Sequence, residues 1–289
     1  MLFSSQEAPP RARHDAMRLF FLFLLLASAQ VRAQEAPPLQ EWIKEAVQAG
    51  GGVVTVPDGE HVFTETLVIE DAKKLALRGM GREGCVLRMK DAAKPVIEIR
   101  GEVERVEIAG IIFQGGAGVR VRGGKDVQVR DCIFEGPGVV MLGARESGVE
   151  RCSFRDGKGA AVVLDESARQ IVIRGNQVTR MALAFDLRAA AECVLEGNEV
   201  RDCAAAIRIA GLEPVGAQRH VVRDNGFFVI GGDALVAAAG TREILIEGNE
   251  VDQTQGFGFV IAGEGHVLKA NTLTGTQAGQ MRDERVDKP

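Results

Sequence analysis

The chain has 289 residues, of which 46% are hydrophobic, and its formal net charge at pH 7 is −5. This length is ample for a sizeable core, and the acidic balance argues against nucleic acid as a partner. The five cysteines are too few and too scattered for a disulfide framework, and no CxxC pair is present, so no zinc site made of cysteines is expected. The sequence implies no cofactor.

The N-terminal segment has the pattern of an export signal. Arg18 precedes an apolar run over residues 19–27, and a small-residue cleavage pattern ends at Ala33. About nine apolar residues are too few to span a bilayer but match the core of a signal peptide. We therefore expect residues 1–33 to be a signal peptide that starts at Met1 or Met17, and the mature chain to be secreted or periplasmic without a transmembrane segment. The alternative is a buried N-terminal helix.

A short amphipathic helix is predicted next, over residues 39–48. Its apolar residues Leu39, Trp42, Ile43, Ala46 and Val47 fall on one face. Residues 34–52 are accordingly predicted to form a linker and a capping helix. That helix would cover the strand edges at the start of the repeat that follows.

From residue 53 to residue 275 the chain repeats a short pattern every 20 to 27 residues, apart from a longer first step. The clearest copies lie at 129–134, 149–154, 173–178, 195–200, 222–227, 246–251 and 268–273. A second short strand completes each coil, as at 162–164, 185–187 and 207–209. Short strands that recur at this spacing can bury their apolar faces only by stacking on one another, which predicts a parallel β-helix of about nine coils.

The fourth position of this pattern is asparagine in five successive coils and cysteine in the two coils before them. Asparagine tolerates the left-handed backbone of a sharp bend, and stacked side-chain amides can pair with one another. We therefore assign these residues a structural role. Cys132 and Cys152 would be close enough for a disulfide, or they could be buried free thiols. The asparagines are Asn176, Asn198, Asn225, Asn249 and Asn271.

Two surface columns are also predicted. The residue two positions before the bend alternates in sign from coil to coil, which would set the register because a slip of one coil pairs like charges. These residues are Arg130, Glu150, Arg174, Glu196, Arg223, Glu247 and Lys269. A ribbon of outward aliphatic residues consists of Val172, Val194, Val221, Leu245 and Val267. Such a ribbon indicates cover by the C-terminal tail or self-association.

The polar segment 276–289 has little to bury and is predicted to be disordered. That prediction bears on the ribbon, because a disordered tail could still fold back over an apolar surface.

The capping helix, the segment Gly-Gly-Gly-Val-Val-Thr-Val-Pro-Asp-Gly at 50–59 and the Gly-Asn coils together resemble the pectin-lyase-like superfamily. The resemblance covers residues 39–275. It implies an all-β fold, a single-stranded right-handed parallel β-helix of about nine coils with an N-terminal capping helix. The superfamily includes pectate lyases and polygalacturonases, so the resemblance implies an acidic polysaccharide as partner. An enzyme of this fold would be a polysaccharide lyase or a glycoside hydrolase.

In that superfamily the active groove runs along one sheet, here the sheet of the second strands. Its predicted outward residues include Glu98, Arg120, Met141 and Val163. The candidate catalytic residues are Asp186, Arg188 and Arg208, because arginines can orient a uronate carboxylate and a crowded arginine could act as a base. The candidate substrate-binding residues are Asp165, Arg120, Arg122 and Asp233. The alternative is a solvated face held by salt bridges.

Departures from the enzymes of the superfamily count against catalysis. Where polygalacturonases carry paired acids at the start of these strands, this chain reads Met-Ala-Leu-Ala at 181–184 and Cys-Ala-Ala-Ala at 203–206, and only Asp233 supplies an acid. No Asp-rich calcium pocket stands on neighbouring coils, and His220 and His266 are two coils apart, so no metal is implied. Two functions remain: a polysaccharide-active enzyme or binder, and a structural or interaction protein of the cell envelope that uses the aliphatic ribbon.

Overall fold

The computed structural model describes residues 37–80, 84–136, 138–211 and 217–285. The predicted signal peptide and the last four residues of the predicted tail lie outside these ranges. In the described part, helix α1 (Leu39–Gln48) is followed by strands β1 to β30. The strands build three parallel ten-stranded sheets, and each coil contributes one strand to each sheet.

The three sheets are here called A, B and C, in the order in which a coil visits them. Sheet A consists of β1 Gly52–Val56, β4 Lys73–Gly79, β7 Glu104–Ala109, β10 Lys125–Arg130, β13 Gly148–Glu150, β16 Val172–Arg174, β19 Val194–Glu196, β22 Val221–Arg223, β25 Leu245–Glu247 and β28 Val267–Lys269. Sheet B consists of β2 Gly59–Phe63, β5 Cys85–Met89, β8 Ile112–Gly115, β11 Ile133–Glu135, β14 Ser153–Arg155, β17 Gln177–Thr179, β20 Glu199–Arg201, β23 Gly226–Ile230, β26 Glu250–Thr254 and β29 Thr272–Thr276. Sheet C consists of β3 Leu67–Glu70, β6 Ile97–Arg100, β9 Val119–Arg122, β12 Val139–Leu142, β15 Ala160–Asp165, β18 Leu183–Arg188, β21 Ala205–Ala210, β24 Leu235–Ala237, β27 Phe257–Ile261 and β30 Gly279–Asp283.

The predicted parallel β-helix is therefore confirmed, with ten coils instead of nine. Each copy of the sequence pattern spans two strands, one on either side of the bend between sheets A and B, so a coil has three strands and not two. The extra coil is the first, where the predicted strand near Val53 turns out to begin a complete coil of its own.

Helix α1 caps this first coil on the face that the sequence predicts. Leu39 and Ile43 are buried, and Trp42, Ala46 and Val47 pack against the core. The side-chain amide of Gln40 donates to the backbone oxygen of Val68 at 3.0 Å and accepts from its N–H at 2.7 Å, as a neighbouring strand would. The open edge of sheet C is thereby satisfied at this position, and an unpaired strand edge is an aggregation hazard.

The asparagine ladder forms at the bend between sheets A and B. Asn176 Nδ2 donates to Asn198 Oδ1 at 2.9 Å, and the same bond continues to Asn225, Asn249 and Asn271 at 2.9 to 3.0 Å. Each Nδ2 also donates to a backbone oxygen of the preceding coil, and each accepting Oδ1 also receives the backbone N–H of the preceding Asn. The buried amides are thus internally satisfied, which removes the penalty for burying them.

The left-handed backbone of each bend falls on a different residue from the one expected. It is the residue before the Asn or Cys, with φ near +50 to +65°, and not the Asn itself. This explains why Asp or Gly is common there, since both tolerate that conformation. The residues are Asp131, Arg151, Gly175, Gly197, Asp224, Gly248 and Ala270.

Phenylalanines stack inside sheet B in the middle coils. Phe134 lies 4.8 Å from Phe113 and 4.7 Å from Phe154 between ring centroids, and the rings are nearly parallel. All three are fully buried, which is worth about 1.5–3 kcal/mol for each side chain. All five cysteines are free and buried, so Cys132 and Cys152 are adjacent thiols in the ladder column and not a disulfide.

The alternating charge column also has the predicted register. Arg130, Glu150 and Arg174 are direct neighbours on successive strands. Further along, Glu196 accepts from Arg174 at 3.2 Å and from Arg223 at 3.0 Å.

The C-terminal segment differs from its prediction. Residues Gly279–Asp283 form β30 and pair with β27 on sheet C. The expectation of a disordered tail from 276 is therefore wrong for these residues. The reason is that β30 continues the parallel ladder, and the Arg282 guanidinium lies 5.3 Å from the centre of the Phe257 ring. Polar composition did not prevent backbone pairing.

Candidate ligand-binding face

The outer face of sheet C carries all the predicted catalytic residues and most of the predicted binding residues. Glu98, Arg120 and Val140 are direct neighbours on successive strands, followed by Val163, Asp186 and Arg208. The prediction that Met141 points outward is wrong, because Met141 is fully buried. The face therefore has two charged clusters with an aliphatic stretch between them.

The second cluster centres on a carboxylate held by two arginines. Arg208 donates from Nε to Asp186 Oδ1 at 2.9 Å and from Nη2 to Oδ2 at 2.5 Å. Arg188 donates from Nε to Oδ2 at 2.7 Å. The Asp186 side chain is only 1% exposed, although it faces outward, because the two guanidinium groups cover it. The structure thus brings the three predicted catalytic residues into direct contact.

This contact fixes the protonation state of the cluster. Burial raises the pKa of the Asp186 carboxyl, but the hydrogen bonds from Arg208 and Arg188 lower it by more, so the pKa lies below its ordinary value. The hydrogen bond to Asp186 raises the pKa of Arg208. A carboxylate with a lowered pKa is a poor general acid, and an arginine with a raised pKa is a poor base. The arrangement is that of an ion-pair clamp.

The two other predicted acids are not brought to this cluster. Asp165 Oδ1 accepts the backbone N–H of the adjacent Glu166 at 2.8 Å. Asp233 Oδ1 accepts the backbone N–H of Phe257 at 2.7 Å, so it fixes the start of the strand on the next coil. Each of these two carboxylates accepts a backbone N–H, and neither of them lies beside Asp186.

The first charged cluster is different. Arg122 Nε donates to Glu98 Oε1 at 2.8 Å, and Arg100 pairs with Glu70 at 3.0 Å. Arg120 makes no ion pair with any residue in the described ranges and lies beside Val140. Three arginines and two acids make this end of sheet C positive, and Arg120 is free to bind an anion.

His220 and His266 belong to the core. His220 Nδ1 accepts the backbone N–H of Cys193 at 3.3 Å, and His266 Nδ1 accepts that of Ile244 at 3.1 Å. Burial lowers the pKa of His220 to about 4. No group of three or more His, Cys, Asp or Glu side chains within the described residues is placed to hold a metal ion.

A groove of about 450 Å³ lies where the chain turns from sheet C into sheet A, and the sequence analysis did not single it out. Four glycines, the cations Lys73, Lys125 and Arg145, and the acids Glu102 and Glu104 line it. A signal for it was present, because Lys125 and Arg145 each stand four residues before a copy of the repeated pattern.

The aliphatic ribbon lies on the outer face of sheet A, where each of the last five strands contributes one residue, in register. Val267 is 53% exposed and the other four residues are partly exposed. In the C-terminal segment, Gly279–Asp283 pair along sheet C, and Arg285 Nη1 donates to the backbone oxygen of His266 at 3.3 Å. Val267 stays exposed all the same, so the described part of this segment leaves the ribbon open. No helix among the described residues is long and apolar enough to cross a membrane.

Comparison with known proteins agrees with the fold. Tailspike protein 2 of bacteriophage CBA120 (its enzymatically active domain) is similar with a TM-score of 0.68 at 10% identity, over 88% of this chain and 44% of that one. A mutant tailspike protein of E. coli bacteriophage HK620, in complex with hexasaccharide, gives a TM-score of 0.61 at 15% identity, over 89% of this chain and 60% of that one. The alginate lyase from Paenibacillus sp. str. FPU-7 gives 0.56 at 14%, over 84% and 96%.

These similarities establish the fold alone, because the identities are low, and the chain spans less than two thirds of either tailspike. No curated protein matches the sequence. The family described as right handed beta helix region matches residues 95–251, which is more than half of the chain. The chain therefore belongs to the right-handed β-helix family.

Proposed function

We propose that this protein binds an acidic polysaccharide along the outer face of sheet C. The observation that carries the proposal is the positive cluster at its N-terminal end, where Arg120 has no ion pair among the described residues and Arg122 is half exposed. Guanidinium groups match carboxylates in shape and charge. The HK620 tailspike in complex with hexasaccharide supports a saccharide as the class of ligand.

Binding is a better proposal than catalysis for this face. The clamp around Asp186 offers neither a protonated acid nor a neutral base, and Asp165 and Asp233 hold backbone instead. The proposal includes export, which the signal-peptide pattern of residues 1–33 supports.

The test is a calorimetric titration with a uronate oligosaccharide. The double variant Arg120→Gln/Arg122→Gln should weaken binding about tenfold or more, since each hydrogen bond to a charged group is worth roughly 1.5–3 kcal/mol. Arg201→Gln is the matched control, because Arg201 is on sheet B and pairs with Glu199 at 3.0 Å. Unchanged affinity in the double variant would overturn the proposal.

An assay for new unsaturated chain ends on uronate polymers tests the catalytic alternative. Arg188→Ala and Arg208→Ala are the informative variants there. Activity in the unsubstituted protein that both variants abolish would place chemistry at the clamp and contradict a purely binding role.

A second candidate function is self-association through the ribbon on sheet A, with a second copy of the chain as partner. The ribbon is uncovered by the described tail, and it runs beside the alternating charge column. Two such faces, antiparallel and offset by one coil, would set each positive residue against a negative one. Light scattering should give the mass of a dimer for the unsubstituted chain. Val221→Lys should reduce this mass to that of a monomer, whereas the control Val163→Lys, on sheet C, should leave it unchanged. A monodisperse monomer of the unsubstituted chain would contradict this candidate.

A further inference from the structure

The turn from sheet C into sheet A carries a column of like charges. Lys125 pairs in parallel register with Arg145, and Arg145 with Arg169, on successive coils. Neighbouring coils are about 4.8 Å apart, so three cations follow one another at that spacing along the backbone. This is the reverse of the alternating column on the adjacent face of sheet A.

Like charges directly opposite each other on neighbouring strands destabilise a sheet. The fold does not require cations at this position, because the same column continues with Ala191 and Gln218. Further along, the column returns to an ordinary ion pair, Arg242 with Glu264 at 2.8 Å. The three consecutive cations therefore destabilise this part of the fold locally, and the stacking of the coils does not explain why they are there.

Two of the three cations of the column have no ion-pair partner among the described residues. Arg145 and Arg169 are exposed and make no ion pair with any residue that the structure describes, while Lys125 pairs with Glu146 at 3.0 Å. The nearby Glu192 is already bound to Arg219 at 2.6 Å. Two guanidinium groups thus remain available for an anion from outside.

The groove described above lies at the N-terminal end of this column, next to Arg145. Its depth comes from glycines, of which Gly123 has a φ of +73° and nothing within 4 Å of the place where a Cβ would stand. At the equivalent turn of a later coil the residues are Glu166 and Ser167, both of which carry side chains. Because the glycines carry no side chains, a ligand such as a sugar ring can approach the backbone of the groove.

This groove is here called the corner groove, because it lies where the chain turns from sheet C into sheet A. We propose that the corner groove binds one anionic sugar unit. Arg145 would contact its carboxylate or sulfate group, and Arg169, one coil further along the column, would contact the next anionic group of the same chain. Glu102 and Glu104, which also line the groove, can accept hydrogen bonds from sugar hydroxyls. A volume of about 450 Å³ is in the range of small-molecule sites. The ligand class rests on the proposed function, whereas the residues are separate from the cluster around Arg120.

The experiment measures affinity by calorimetry for three probes: a hexauronate, the same hexasaccharide with its carboxyl groups reduced to hydroxymethyl groups, and a sulfated hexasaccharide. The variant is Arg145→Gln/Arg169→Gln. Its control is Arg242→Gln, which removes a cation of the same column that is already ion-paired. We expect a loss of about tenfold or more for the charged probes in the variant, no change in the control, and no measurable binding of the reduced probe.

Comparison of the two charged probes identifies the anionic group, because the one that loses more affinity in the variant is the one that the corner recognises. Retained affinity for both in Arg145→Gln/Arg169→Gln, with a loss in Arg120→Gln/Arg122→Gln, would overturn the corner site and leave the sheet C proposal intact. Loss of affinity in Arg145→Gln/Arg169→Gln alone, with affinity retained in Arg120→Gln/Arg122→Gln, would support the corner groove and overturn the sheet C proposal. Equal binding of the reduced probe, or no binding of any probe by the unsubstituted chain, would overturn both. Urea unfolding of each variant confirms that it is folded.

Discussion

Two groups of arginines on this β-helix have the same residue type and opposite surroundings. Arg188 and Arg208 both pair with Asp186, so each of these guanidinium groups already has a carboxylate partner in the protein. Arg145 and Arg169 stand one coil apart without an acid between them. The difference teaches that a cluster of arginines indicates an anion site only after its internal carboxylates have been counted. The cluster that the sequence favoured is the one whose two arginines already share an internal carboxylate.

The largest expected effect concerns the clamp. Asp186→Ala should lower the free energy of unfolding by about 2 kcal/mol, because it removes charge-assisted hydrogen bonds and leaves two guanidinium groups side by side. Asp165→Ala, on the preceding coil, should change it by less than about 0.5 kcal/mol, since Asp165 contacts only the adjacent backbone. Urea unfolding measures both. Equal effects would show that the clamp is no different from an ordinary surface acid.

A smaller effect should appear with pH. The folded pKa of Asp186 lies below its unfolded value, so the group contributes stability that is fully present above the unfolded pKa, near 3.9, and is lost as the pH falls through the folded pKa. The stability difference between the unsubstituted chain and Asp186→Asn should therefore be constant from about pH 7 to about pH 5 and shrink below about pH 4. A difference that stays constant at low pH would mean that the ion pairs do not stabilise the fold.

The smallest effect has the opposite sign. Arg145→Gln should raise the free energy of unfolding by a few tenths of a kcal/mol at low salt, because it interrupts a column of like charges. Arg242→Gln, which breaks an ion pair in the same column, should lower it slightly. Both differences should vanish near 1 M salt, where the screening length is about 3 Å. A stabilising effect that persists at high salt would have a cause other than repulsion.

Features that repeat with the period of the coil could be predicted from the sequence. The asparagine ladder, the alternating column and the face of α1 depend only on spacing, and the structure confirms them. The orientation of Met141 could not be predicted in this way. The strand Val139–Leu142 is apolar at every position, so it offers no alternation from which to choose an inward face.

The candidate site was predicted less well, for a different physical reason. The sequence places Asp186, Arg188 and Arg208 on one face, but only the side-chain geometry reveals that the arginines close over the carboxylate. The corner column was within reach, since its cations share one position relative to the repeat. What the repeat does not show is whether these cations have partners, because that depends on the side chains of the neighbouring coils.

The ladder and the alternating column together restrict how such a chain can change its length during evolution. Deletion of part of a coil would leave an amide of the ladder without its partner, whereas deletion of a whole coil would join one Asn to another. Deletion of the coil that carries Glu196, however, would bring Arg174 against Arg223. Insertion or deletion of two coils at a time keeps opposite charges paired and therefore destabilises the fold least. The evolutionary unit of length change is then two coils, although the structural repeat is one.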